Sequence, residues 1–218
     1  MQLNITKKLE NQKKNYLSQF NYKPKNKRNI MKNLKSIALA LVVVLSTAAV
    51  SAQTKKIDVS KSSIEWLGKK VTGQHNGTVN FKDGAVVLKG NKLTGGNFTV
   101  DMTSITATDL SGEYQGKLNG HLKADDFFGT DKFPTATLAF KKIAAKSATV
   151  YTVTADLTIK GITKPVTFDM TVAANSATTK FMVDRTKFDI KYKSTNFFEN
   201  LGDKAIYDDF ELNVKLAF

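Results

Sequence analysis

Residues Thr152–Val172 read TVTADLTIKGITKPVTFDMTV, and two runs of strict alternation flank a turn. Val153, Ala155, Leu157 and Ile159 alternate with Thr152, Thr154, Asp156 and Thr158. After a turn within Lys160–Lys164, Val166, Phe168, Met170 and Val172 alternate with Thr167, Asp169 and Thr171. A period of two places one set of side chains on each face of a strand. The stretch is therefore an antiparallel hairpin with an apolar face and a polar face, as in a sheet lying between a core and water.

The same period extends in both directions. Upstream, Ile64 and Trp66 share a face, as do His75, Gly77, Val79 and Phe81, then Val86 and Leu88, then Phe98, Val100 and Met102. Lys82-Asp83-Gly84 and Lys89-Gly90-Asn91-Lys92 carry turn chemistry. Ala136, Leu138 and Phe140 precede the hairpin. Phe181 and Val183 follow it, then Phe188, Ile190 and Tyr192. The chain ends with Phe210, Leu212, Val214, Leu216 and Phe218 against Asp209, Glu211, Asn213 and Lys215. Eight or nine alternating segments with short turns predict an all-β domain, a single antiparallel eight-stranded barrel.

Ser111–Pro134 breaks the pattern. Tyr114, Leu118 and Leu122 recur every four residues and predict one apolar face of a short helix, although Asn119-Gly120 interrupts it. Asp125 or Asp126 is placed to cap a second helical turn presenting Phe127 and Phe128, with Gly129 ending that turn and Pro134 forbidding continuation.

The 218 residues divide unevenly in charge. The whole chain carries +14, but residues 1–52 hold ten of the 33 Lys/Arg and one of the 19 acidic residues. Residues 53–218 retain +5, with the positive charges scattered, which argues against nucleic-acid binding. Met31–Lys35 is basic, Ile37–Val50 is apolar apart from Ser46 and Thr47, and Val50-Ser51-Ala52 is a small-residue exit. This is the pattern of a secretory signal peptide with cleavage near Ala52, and it is too short for a membrane span, which takes about 20 residues. Residues 1–30 read as a disordered or mis-assigned leader, with Met1 and Met31 both open as the start. Residues 31–52 read as the signal peptide and 53–218 as the domain. The expected location is periplasmic or secreted. There is no cysteine, so disulfides, thiol catalysis, Cys-ligated zinc and lipidation on Cys are excluded.

Five pieces carry a resemblance: Gly73-Gln74-His75-Asn76-Gly77, Gly96–Met102, His121–Phe128, Lys132-Phe133-Pro134-Thr135-Ala136, and Leu157–Val166. In this order they resemble the YceI-like family of exported, polyisoprenoid-binding proteins. The resemblance implies a lipocalin-like eight-stranded barrel whose apolar interior takes a polyisoprenoid, an isoprenoid quinone or a similar amphiphile. It implies no catalysis and no cofactor apart from bound lipid.

The candidate lipid-binding residues are Trp66, His75, Phe98, Val100, Phe127, Phe128, Leu157, Ile159, Phe168 and Met170. Alternation does not tell an open cavity from a filled core; the resemblance favours a cavity. His75 reads either as a head-group contact near the mouth or as a satisfied structural histidine. His121 reads as a brace for the insert through a hydrogen bond, or as a polar group in the cavity. Phe127 and Phe128 read equally as lipid contacts or as anchors. The two histidines have no acidic residue at ligand spacing, so no metal site is expected. Asp125-Asp126 is better explained as a cap than as an acid–base pair. Two rival classes remain: a small outer-membrane barrel, with its apolar face outward, and an enzyme of lipid or quinone metabolism. An open edge or mouth is compatible with a homodimer.

Overall fold

Nine strands and one helix build the residues described by the computed structural model, 51–218; the leader and the signal segment up to residue 50 lie outside the described residues. The elements are β1 (Ala52–Lys56), β2 (Ser63–Lys70), β3 (Gly73–Lys89), β4 (Lys92–Ala107), α1 (Gly112–Lys123), β5 (Thr135–Ala145), β6 (Val150–Ile159), β7 (Ile162–Val172), β8 (Ser176–Asp184) and β9 (Ile206–Ala217). Strands pair in the order β3-β2-β9-β8-β7-β6-β5-β4, and β4 returns to β3, so eight antiparallel strands close a barrel. β1 adds to the far half of β3, beyond the reach of β2.

The diagnostic hairpin pairs Ile159 with Ile162, and its turn is shorter than the sequence bounded it. Only Lys160 (φ 51°) and Gly161 (φ 73°) form it, both left-handed, which matches the twist of the flanking strands. Tyr151, Val153, Ala155, Leu157 and Ile159 all point into the core, while Thr167, Asp169 and Thr171 face out. An apolar inside and a polar outside are the reverse of an outer-membrane barrel.

Two expected features differ. Lys82-Asp83-Gly84 is not a hairpin turn: β3 runs through it, with a bulge between Phe81 and Asp83. Gly84 lies opposite Phe98, whose ring fills the space where a Cβ would stand, 2.5 Å away, so the glycine admits an aromatic side chain rather than a reversal. Phe188, Ile190 and Tyr192 do not form a strand. Asp184 Oδ1 accepts from the Thr186 N–H and hydroxyl, winding Arg185–Phe188 into a 3-10 turn, and Asp189 is left-handed at φ 60°. The apolar pattern still has meaning, since Phe188 and Ile190 are fully buried.

The insert is helical where expected, with one change of face. Leu122 is buried and Leu118 packs on the core, but Tyr114 is 73% exposed. Four-residue spacing drifts about 40° per step around a helix, so Tyr114 rotates away from the barrel. Asn119, unfavourable by propensity, fastens the helix to β4: its Oδ1 accepts from Ala107 N at 2.8 Å and its Nδ2 donates to Thr106 Oγ1 at 2.9 Å. Gln115 Nε2 adds a bond to Ala107 O. The expected Asp cap is absent. Residues 124–128 form turns closed by Phe127 N–H and Gly129 N–H on Ala124 O, and Asp125 accepts from Lys132 Nζ at 2.6 Å.

The barrel has two unlike ends. The β3–β4, β5–β6 and β7–β8 turns gather at one: Tyr151 Oη donates to Asn91 O, and Val172 N–H to Thr149 O. The other carries the 70–73 turn, α1 with its following turns, and the long 185–205 segment. Val71 N–H bonds Ala205 O there, and Lys160 Nζ bonds Asp125 O.

Candidate functional site

Five phenylalanines cross the interior towards the turn-only end. Ring centroids step from Phe81 to Phe98 (6.0 Å), Phe140 (5.6 Å), Phe168 (6.2 Å) and Phe181 (4.5 Å), the last pair stacked at 18°. With Met170, 2% exposed, they pack that half as a floor, in which Phe81, Phe98 and Phe168 are buried and Phe140 and Phe181 half-buried. Above it lies a cavity of about 140 Å³. The interior is thus neither wholly open nor wholly filled.

Six of the ten candidate residues line this cavity: Trp66, Val100, Phe127, Phe128, Leu157 and Ile159. Phe98 and Phe168 belong to the floor, and Met170 is buried with them. His75 lies elsewhere, on a second cavity of about 100 Å³ at the helix-bearing end, with Lys69, Lys70, Leu118 and His121. Trp66, Gly68, Leu122, Phe127 and Ile206 line both cavities and form the wall they share.

His75 Nδ1 pairs with Asp109 Oδ2 at 2.8 Å, and Asp109 Oδ1 accepts from Asn76 N–H. Burial raises the Asp109 carboxyl, but the bonds from His75 and from the backbone outweigh it and hold the group below its ordinary value. His121 does not brace the insert by a hydrogen bond. Its Nε2 is buried without a partner, and the ring instead packs between Phe127 (5.6 Å) and Tyr192 (4.5 Å). Among the described residues no group of three or more His, Cys, Asp or Glu side chains is placed to hold a metal.

Two positions of the cavity wall escaped the sequence reading. Gly68 continues the inward row of Ile64 and Trp66, and a Cβ built there meets nothing within 4 Å. The missing side chain is part of why the cavity exists. The available signal was an inward row that lapses at a glycine. The second position is Arg185, buried to 2% in the cavity wall. Its Nε donates to Tyr207 O, Nη1 to Ile190 O, and Nη2 to Ile206 O and Asp208 Oδ1. Burial pushes the guanidinium below its ordinary value, opposed by Asp208 and Asp184. No pattern of period two marks a residue whose task is to hold carbonyls.

Comparison with known proteins places this geometry. Residues 56–218 match the YceI-like domain. A UPF0312 protein of Shewanella denitrificans is 28% identical over 142 residues, covering 65% of this chain and 71% of that protein. A UPF0312 protein of Staphylococcus aureus (strain USA300) is 46% identical over 52 residues, which span 24% of this chain and 28% of that one. Among solved structures, Burkholderia cenocepacia BcnA superposes with a TM-score of 0.61 at 22% identity, covering 74% of this chain and 99% of that chain. A polyisoprenoid binding domain from Saccharophagus degradans, implicated in plant cell wall breakdown, superposes with a TM-score of 0.51 at 13% identity, covering 76% and 97%. The two superpositions share the barrel.

Proposed function

The chain belongs to the YceI-like domain family, and from that membership and its half-open interior we propose that it is an exported carrier of a long apolar lipid. The observation that carries the proposal is the cavity itself, apolar on nearly every side, floored by phenylalanines and extended by a second cavity towards the helix-bearing end. The polyisoprenoid binding domain of Saccharophagus degradans supports an isoprenoid or similar amphiphile as the ligand class. The basic, apolar and small-residue succession of residues 31–52 supports export, with processing near Ala52, the first residue of β1.

The cavity's size shapes the proposal. About 140 Å³ is below the roughly 300–1,000 Å³ of small-molecule sites. In this conformation the barrel takes the end of a chain, and the remainder lies in the second cavity and the mouth, or parts the wall. Five or six buried methylenes contribute about 4–5 kcal/mol before ordering costs. Release is then easy, which suits a carrier better than a store. The carrier role needs no reacting group, and the proposal assigns none.

Native mass spectrometry of the purified protein, with organic extraction of the same sample, tests the reading. A stoichiometric long-chain amphiphile is expected. A folded protein that is empty and takes up no long-chain probe sinks the carrier. Extraction from cells only with detergent would instead favour a membrane barrel.

A further inference from the structure

The end of the barrel that holds the second cavity is also where exposed aromatic side chains gather, with lysines beside them. Phe197 and Phe198 are each 49% exposed, Tyr207 54% and Val71 49%. They are held, not trailing: both Phe197 and Phe198 N–H groups bond the carbonyl of Ser194, whose residue is fully buried, and Asn196 Nδ2 donates to Asp208 Oδ2 at 2.6 Å. Val71 and Ala205 are tied backbone to backbone, as are Lys193 and Ile206, so residues 69–71, where β2 ends, and the 191–207 segment form one rim. Elsewhere among the described residues, large exposed apolar side chains stand singly, at Val59, Tyr114 and Met182.

Lysines border the same rim, although others that no ion pair holds among the described residues, Lys89 and Lys92 included, flank the β3–β4 turn at the opposite end. Lys191 Nζ lies 5.1 Å over the Phe197 ring, and Lys193 Nζ lies 5.0 Å over Tyr192. Among the described residues no ion pair holds Lys69, Lys70, Lys193 or Lys204, whereas Lys191 is paired with Asp189. The acidic side chains in the 191–207 segment are Glu199 and Asp203. Aromatic side chains with lysines beside them suit the boundary between acyl chains and anionic head groups, where the ring buries apolar area and the ammonium meets phosphate.

We propose that this rim, residues 69–71 with the 191–207 segment, docks on the surface of an anionic lipid bilayer. The protein then stands with its cavity end towards the membrane and its turn-only end away from it. The inference goes beyond the carrier reading and does not require the cavity to be filled. It sets the bilayer against the second cavity, which the wall shared by Trp66, Leu122, Phe127 and Ile206 divides from the interior.

The absence of cysteine makes a position-specific test available. Thr195→Cys, beside the Phe pair, and Ala148→Cys, at the opposite end, each take one polarity-sensitive fluorophore on the full chain. The probe is vesicles of phosphatidylcholine with phosphatidylglycerol as the minor component, against phosphatidylcholine alone. On anionic vesicles the label at 195 is expected to shift to the blue and become shielded from iodide, and the label at 148 is not. Phe197→Ser with Phe198→Ser should weaken the response at 195 by about tenfold or more with an unchanged thermal midpoint, and each lost rim lysine by roughly fivefold. A label at 195 that stays exposed, or one that responds equally without the Phe pair, overturns the docking surface. Probe uptake from detergent solution is measured separately. A chain that takes up nothing but shows the shift at 195 keeps the rim and loses the carrier reading.

Discussion

The guanidinium of Arg185 lies 6.0 Å from the centroid of the Phe127 ring, so the one buried arginine of the cavity wall is packed against the insert that covers the cavity. The same group gathers the carbonyls of Ile190, Ile206 and Tyr207 and the carboxylate of Asp208. It thereby fixes both ends of the segment that carries the exposed rim. Arg185→Met removes the donors and strands their buried acceptors. The expected loss is about 3–5 kcal/mol in urea unfolding. Arg185→Lys should recover only a small part, because an ammonium lacks the planar fork that reaches carbonyls on several sides. A Met variant as stable as the parent would show that the segment holds itself.

Gly68 offers a way to close the cavity without removing any side chain that lines it. Its inward direction is open, and its backbone has no positive φ, although β2 shifts register on β9 between Gly68 and Lys70. Gly68→Leu is expected to fill the space between Trp66 and Ile206, to leave the urea midpoint unchanged or raised, and to cut co-purified lipid severely. Lipid content equal to the parent's would mean that the ligand does not pass this part of the interior.

The His75–Asp109 pair predicts the acid behaviour of the β2–β3 end. Asp109 is held below the ordinary carboxylate value, near 3.9. A depressed carboxyl stabilises fully above its unfolded value, and the contribution is lost as pH falls through the folded one. Asp109→Asn should therefore be less stable than the parent at neutral pH, and the difference should shrink on acidification below about pH 4. Urea midpoints at neutral and acid pH give the measurement. A difference that stays constant with pH would assign the loss to geometry rather than charge.

What was legible depended on whether a residue's role has a period. Val153 through Val172 could be read directly, because inward and outward rows alternate whatever the tertiary context. Phe188 and Ile190 were legible as buried and illegible as non-strand, since burial leaves a mark in composition while the Asp184 cap leaves one only in a single side chain. Asn119 misled for a related reason: its helix propensity is poor, but its two bonds to β4 outweigh that local cost. The boundary between floor and cavity had no signature, because Phe168 and Leu157 belong to the same alternating hairpin. Which of them meets a void depends on rings brought in from β3, β4, β5 and β8.

That boundary is open to change. Phe168 is 5% exposed, stacked on Phe181 at 4.5 Å and edge-on to Phe140 at 6.2 Å, so it is the middle of the floor and not its rim. Phe168→Ala should cost about 3–5 kcal/mol, the usual penalty for emptying a packed aromatic site. It should also join the cavity to the turn-only half. If the floor sets how much of the ligand enters, the variant will co-purify with longer chains, or retain the same chain more tightly, and added ligand will restore part of the lost stability. Phe168→Leu, which leaves most of the volume filled, should do neither. Destabilisation with no change in ligand length or retention would show that the cavity is limited at its mouth. The five phenylalanines would then serve only to pack the barrel.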